Sequence, residues 1–334
     1  MTQDRYDPGP RIAHAGSIHL GTPDLDTSLW FFRDLLGMEV VARFDDTAYL
    51  RGHQEHVHHS LILTRQDEAV VNAYSFRVAR PEDVELFAQQ FETDGIKTVE
   101  LAAGQVAGRG EAVRFLTPGS EHPFELYHGI ERPQAEESIR SRILSNSSRR
   151  RGFGVRRLDH INLQTGAETL GEAESWLREG LGFRRRELLR LPQDPEFLIA
   201  SWLSVTPQVH DLAIGVSADG GTGRFHHVAF NIENFHDILT AADEMRELDI
   251  AWGAGPGKHG IGQAMYLYVN DPGSGHRIEL YSGGYLIFDP DWEPLEWTTE
   301  MDWGATWYGH TLDVGPGGKF LDTMPSAGLV PPGA

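Results

Sequence analysis

Cysteine is absent from the 334 residues. That excludes disulfides, thiolate metal sites and cysteine nucleophiles, and leaves His, Asp and Glu as the side chains able to hold a metal. Positive charge is scarce: 29 Lys and Arg stand against 49 Asp and Glu, for a formal net charge of -20. Such a chain offers phosphate backbones and anionic lipid no cationic surface, so neither nucleic acid nor a membrane is an expected partner. No apolar run approaches membrane-spanning length, and the opening Met1-Thr-Gln-Asp-Arg-Tyr-Asp-Pro lacks the basic and apolar regions of a signal peptide. The expectation is a cytoplasmic protein acting on a small molecule. Histidine, by contrast, is plentiful, with 16 residues.

The length suits two domains, and a repeat divides it. A strand around Ile18, a helix from Leu25 to Leu36 stopped by Gly37, and three strands near Met38–Phe44, Tyr49–Arg51 and Ser60–Thr64 make one β-α-β-β-β module. The pattern recurs at Ala73–Val78 with a helix over Pro81–Asp94, again at Leu158–Gln164 with a helix over Glu168–Glu179, and a fourth time at His226 with a helix over Phe235–Leu248. A polar stretch from about Glu131 to Arg151 reads as a linker, and its arginine triplet as a solvated surface or a local ion-pair partner. The expected domains are 1–145, 155–285 and a tail or lid over 286–334.

Three strands of the second half carry polar residues where aliphatics would suffice: Leu158-Asp-His160-Ile-Asn162, Phe225-His226-His227-Val-Ala-Phe230 and Arg277-Ile-Glu279-Leu-Tyr281. One histidine from each of the first two plus Glu279 is a two-imidazole, one-carboxylate set suited to Fe(II) or Mn(II) with open positions. Laying the modules over one another puts Ser17 opposite His160 and Ala73 opposite His227, so His227 is favoured over His226 as ligand. Only the carboxylate has a counterpart, Glu125, and metal chemistry is therefore expected in the second half alone. His53, His56, His58 and His59 form a competing cluster in a loop-like segment with no carboxylate at ligand spacing. Strand alternation sets Asn162 on the same wall as His160. His210 opens an apolar strand and is suited to proton transfer beside the metal. His259, in a Gly-rich loop, and Tyr268 could donate hydrogen bonds to a bound oxygen species.

With Val-His210-Asp, Gly-Pro-Gly-Lys-His259-Gly and Tyr-Leu-Tyr268 added, six motifs in order resemble type I extradiol ring-cleaving dioxygenases of the vicinal oxygen chelate superfamily, above all the homoprotocatechuate 2,3-dioxygenase branch. The resemblance implies an α+β fold of four βαβββ modules paired into two domains, each an open β-barrel-like sheet flanked by helices. It implies metal ligands at His160, His227 and Glu279, acid–base catalysis by His210, and a pocket lined by Asn162, Trp202, His259 and Tyr268. It further implies Fe(II) or Mn(II), a catechol and O2 as reactants, a 2-hydroxymuconic semialdehyde type product, and a homo-oligomer. Two arginine positions that bind the substrate carboxylate in that branch read differently here, as Ala254 and the segment Glu300-Met-Asp302. Catechol or an alkylcatechol is therefore expected over a carboxylated catechol. The alternatives are homoprotocatechuate itself, a metal-dependent isomerase, or a drug-binding module of the same superfamily.

Overall fold

The computed structural model describes residues 9–134, 137, 138, 140, 142, 143, 145, 147–312 and 319–329. The arm at 1–8 and several positions of the polar stretch after 131 lie outside the described residues. The first half contributes β1 (Ile12–Thr22), β2 (Glu39–Phe44), β3 (Thr47–Arg51), β4 (Leu61–Arg65), β5 (Val70–Val78), β6 (Thr98–Leu101), β7 (Ala112–Leu116) and β8 (Pro123–Tyr127), with helices α1 (Leu25–Leu29) and α2 (Asp83–Thr93). These strands form one sheet in the order β2-β3-β4-β1-β5-β8-β7-β6. Each module thus places its first strand beside its last, parallel, and the two modules meet through the antiparallel pair β1 and β5. The edges β2 and β6 do not close on each other, as an open barrel requires.

The second half repeats this plan with β9 (Arg157–Thr165), α3 (Leu170–Leu181), β10 (Arg184–Leu191), β11 (Asp194–Ser204), β12 (Leu212–Val216), β13 (Arg224–Asn231), α4 (Phe235–Glu247), β14 (Trp252–Lys258), β15 (Ala264–Asn270) and β16 (Arg277–Gly283). The tail adds β17 (Leu295–Thr298) on β10, β18 (Tyr308–Gly309) on β14 and β19 (Met324–Pro325) on β13. The tail is therefore stitched onto the second sheet at three strands.

Local chemistry accounts for the helix ends. Asp24 and Asn234 accept from the backbone N–H groups of Thr27 and Asp237 and so cap α1 and α4. The expected regular helix over 25–36 is instead one α turn followed by a π-helix over Trp30–Leu35, closed by Leu36 N–H to Phe31 O at 2.9 Å. The wider turn sends both Phe31 and Phe32 into the core, and Phe32 meets Phe230 of the other half edge-on at 6.2 Å. Gly37, at φ 81°, ends the segment where a Cβ would fall 1.8 Å from the carbonyl of Arg151.

One apolar core runs through both halves, joined by Phe32 with Phe230, Phe76 with Phe183, and Phe91 and Phe115 with Trp176. Reciprocal polar ties reinforce it: His122 pairs with the carbonyl of Arg224, and His276, at the equivalent place, with that of Gly21. In the arginine triplet, Arg150 pairs with Asp237, Arg149 lies 3.9 Å from Glu39, and Arg151 bonds backbone carbonyls. These are local structural roles.

The register bears out the module alignment. Ser17 lies opposite Ser75 and Ser75 opposite Glu125, just as His160 lies opposite Ala229 and Ala229 opposite Glu279. In the first half the buried Glu125 is neutralised by Arg109 at 2.6 Å and Arg114 at 3.3 Å. Removing one partner of a buried ion pair leaves the other charge uncompensated. Arg109→Ala should therefore destabilise the protein by about 3–5 kcal/mol, read from denaturant unfolding, with metal content unchanged. A loss of bound metal in this variant, without loss of stability, would contradict the structural role.

Candidate metal centre

The antiparallel pair β9 and β13 forms the floor of the second sheet, with His227 opposite Asn162 and Ala229 opposite His160. Parallel β16 sets Glu279 beside Ala229. Strand alternation then points His160, Asn162 and Gln164 to one side with His227 and Glu279. A register shift between Phe225 and His227 interrupts the ladder at the paired histidines. Such a bulge re-aims side chains, and here both His226 and His227 border the cavity, where simple alternation allows one.

His160 Nε2 lies 3.0 Å and His227 Nε2 3.2 Å from Glu279 Oε2, and the two nitrogens are 3.3 Å apart. Ligand atoms about 2.1 Å from one ion and at right angles to each other are about 3.0 Å apart, so this triangle fits a single divalent cation. The distal nitrogens agree. His160 Nδ1 faces Asp159 Oδ1 at 3.1 Å, which only accepts, so Nδ1 carries a proton and Nε2 is the nitrogen left for a metal. His226 Nε2 donates to the carbonyl of Phe320 at 2.7 Å, leaving its Nδ1 to accept from His227 Nδ1 at 2.6 Å. His227 Nε2 is thereby left for a metal as well. Among the described residues this trio is the group of His and acidic side chains whose ligand atoms converge as a metal requires, and all three are buried.

Electrostatics point the same way. Burial opposes charge on His160, yet the carboxylates of Asp159 and Glu279 outweigh it and raise its pKa to about 9. Burial likewise opposes charge on Glu279, but the imidazoles of His160, His227 and His259 gathered around it hold it well below the usual carboxylate range. Burial pushes His227 down to about 4. The site therefore stabilises positive charge between its ligand atoms, the place a cation would take.

A cavity of about 470 Å³ opens onto the trio, and every residue expected from the sequence lines it: Asn162, Trp202, His210, His259 and Tyr268 besides His160, His227 and Glu279. The His210 ring stands 4.0 Å from that of His160, tilted by 52°, and its Nδ1 is buried without a partner. Burial, then the neighbouring His160, pushes the His210 pKa well below its ordinary value, so it is a neutral base. His259 follows β14 directly, and that strand was not expected. Its Nδ1–H donates to Ala305 O at 2.5 Å, so Nε2 accepts from the Tyr268 hydroxyl at 3.0 Å. Gly262, at φ 69°, brings the backbone close: a Cβ there would lie 3.5 Å from the Tyr281 hydroxyl and 3.8 Å from His210.

Sequence reasoning missed Tyr281, whose buried hydroxyl has no partner, and the tail residues Thr299, Gly304, Ala305, Leu312, Phe320 and Leu321 on the cavity wall. Tyr281 was within reach, two residues from Glu279 on the same strand face. Ala254 and the Glu300-Met-Asp302 segment do not line the cavity. Ala254 is buried against Tyr266, Tyr268, Leu312 and Phe320, while Glu300 and Asp302 are exposed. They add no acid to the pocket. The competing cluster is not a metal group: His58 and His59 bond each other through Nδ1 at 2.9 Å, and His53 bonds the carbonyl of Val155. No helix among the described residues is long and apolar enough to cross a membrane.

Comparison with known proteins places this geometry. The family model of the Glyoxalase/Bleomycin resistance protein/Dioxygenase superfamily matches residues 11–126 and 157–280. A manganese-dependent 2,3-dihydroxybiphenyl 1,2-dioxygenase from Geobacillus genomosp. 3 is 46% identical over 315 residues, covering 93% of this chain and 98% of the relative. A metapyrocatechase from Geobacillus stearothermophilus is 34% identical over 319 residues, covering 92% and 93%. Homoprotocatechuate 2,3-dioxygenase from Brevibacterium fuscum, solved with 3,4-dihydroxyphenylacetate, superposes with a TM-score of 0.82 at 31% identity and 93% coverage of both chains.

The tautomer chain yields a test. His226→Leu removes the acceptor that orients His227 and should weaken Mn(II) binding by about 10–100-fold, as loss of such partners typically does. Competition with a chelator measures it, and unchanged affinity would show that His226 only fills space.

Proposed function

This chain belongs to the glyoxalase/bleomycin resistance protein/dioxygenase superfamily and is an extradiol dioxygenase of catecholic substrates dependent on Fe(II) or Mn(II), and we propose that His160, His227 and Glu279 hold the metal and that the substrate is a neutral catechol bearing an alkyl or aryl group. The cavity wall carries this reading: among its described residues there is no Lys or Arg, and Glu279 is the single carboxylate. A substrate carboxylate would enter without a protein cation to pair it, at a cost of several kcal/mol, roughly that of an unpaired buried ion. Leu189, Ile199, Ile214, Val216, Leu312 and Leu321 offer an apolar wall instead. The 46% identical relative is named for a phenyl-substituted catechol, which supports the aryl alternative. A superfamily isomerase would want a further carboxylate ligand, and the wall provides none.

The metal, when bound, supplies a common centre for both catechol oxygens and O2 and a route for electrons from ring to oxygen. The chain does the rest. His210, buried and neutral, takes a proton from the catechol hydroxyl and returns it as the ring opens. The Tyr268 hydroxyl, held at His259 Nε2, turns to donate its one hydrogen bond at the reacting oxygen when substrate is bound. Asn162 and Trp202 orient the ring. The tail residues Thr299, Gly304, Ala305, Leu312, Phe320 and Leu321 line the cavity and limit the access of water. The net reaction joins both atoms of O2 to the catechol and breaks the ring bond beside the hydroxyls, giving an acid at one end and a carbonyl at the other. We place this enzyme in the cytoplasm as a homo-oligomer, on its composition and family.

Oxygen uptake with a catechol panel should give a kcat/KM for 2,3-dihydroxybiphenyl or 3-methylcatechol about tenfold or more above that for homoprotocatechuate. The reverse order would mean that a cation outside the described wall reaches the substrate. His210→Asn should keep the metal and slow turnover by about 10²–10⁴-fold, the usual worth of a placed proton-transfer group. Loss of metal in that variant would make His210 a ligand.

A further inference from the structure

A groove of about 530 Å³ at the junction of the two halves gathers Arg11, Arg184 and Arg186. Strand alternation on β10 explains the pair from that strand. Arg185 points the other way and forms a two-pronged pair with Glu174 at 2.7 and 2.6 Å, while Arg184 and Arg186 share the groove side. Among the described residues none of the three groove arginines forms an ion pair, although the chain carries a net charge of -20. Arg186 is 5% exposed, and of its guanidinium only Nε is engaged, donating to Ser204 Oγ at 2.7 Å.

The nearby acids are committed elsewhere. Asp83 pairs with Arg80, and Asp211 accepts from Val205 N, Thr206 N and the Thr206 hydroxyl. Burial, then the charge of Arg184, lowers the pKa of Arg186, with Asp211 and Tyr285 opposing. Apart from Thr206, whose hydroxyl is given to Asp211, the remaining side chains are apolar, among them Ile12, Leu181, Ile287 and Phe288, the last 76% exposed at the rim.

Unpaired guanidinium groups beside an apolar wall are the elements that recognise a carboxylate on an apolar body. We propose that this groove binds a small organic carboxylate, its acid group held by Arg11, Arg184 and Arg186 and its body against Ile287 and Phe288. None of the lining residues belongs to the metal cavity, so the two sites can be filled together. The ring-opened product is one such anion; that identification rests on the activity above, whereas the groove itself does not.

Calorimetric titration of the anaerobic, Mn(II)-loaded full chain saturated with catechol tests the proposal, with benzoate as probe, benzyl alcohol as its uncharged counterpart and inorganic phosphate as a second anion. One benzoate should bind per chain, benzyl alcohol should not, and phosphate should bind more weakly. Arg11→Gln and Arg184→Gln, both at exposed positions, should each weaken benzoate binding by about tenfold. Retained affinity in both variants, displacement of benzoate by catechol, or phosphate binding as tightly as benzoate would overturn the proposal. Absence of oxygen uptake would refute the assigned activity and leave these outcomes unaffected.

Discussion

A carboxylate buried to 1% exposure must be met by positive charge or by hydrogen-bond donors, and Glu279 is such a group. The architecture around it answers that constraint. Two imidazoles turn their Nε2 atoms to it, each fixed by an acceptor behind the ring: Asp159 for His160, and His226 backed by the Phe320 carbonyl for His227. The missing charge is the cation's. The equivalent position of the first half shows the other solution, since Glu125 is met by the Ser75 hydroxyl and by two guanidinium groups, Arg109 and Arg114, whose charge takes the place a cation would need. One repeated scaffold thus carries a structural ion pair in one copy and the proposed metal centre in the other.

The tail takes part in this arrangement. Residues 319–322 present backbone carbonyls to His226 and Arg277, which stand on the two strands that also bear His227 and Glu279. Glu187 accepts from Trp297 Nε1 in the tail strand, from Tyr285 and from Gly262 N in the turn beside His210. The segment that roofs the cavity is therefore tied to the ligand strands themselves, and ligand orientation depends on chain more than 90 residues away, as the 94-residue separation of His226 and Phe320 shows.

Much of this was legible in the sequence because side-chain identity carried it. Histidines and an acid among aliphatics mark His160, His227 and Glu279, and the module repeat singles out the second half as the one that carries all three. The parts that were not legible depend on backbone and on distance. Carbonyl acceptors such as those of Phe320 and Ala305 have no residue signature. The π-turn at Trp30–Leu35 shares its apolar spacing with an ordinary helix. The strand Trp252–Lys258 is rich in glycine and reads as a loop. The tail position of Glu300 and Asp302 could be judged only once Thr299 and Gly304 were seen to line the cavity in their place.

The central claim is that one divalent ion sits between three named atoms in the second half and nowhere in the first. Anomalous diffraction at the manganese or iron edge from crystals of the metal-loaded protein tests it most directly. The account predicts a single peak per chain, bonded to His160 Nε2, His227 Nε2 and Glu279 Oε2. A peak beside Glu125, or one in the second half that leaves any of those three atoms uncoordinated, would contradict it.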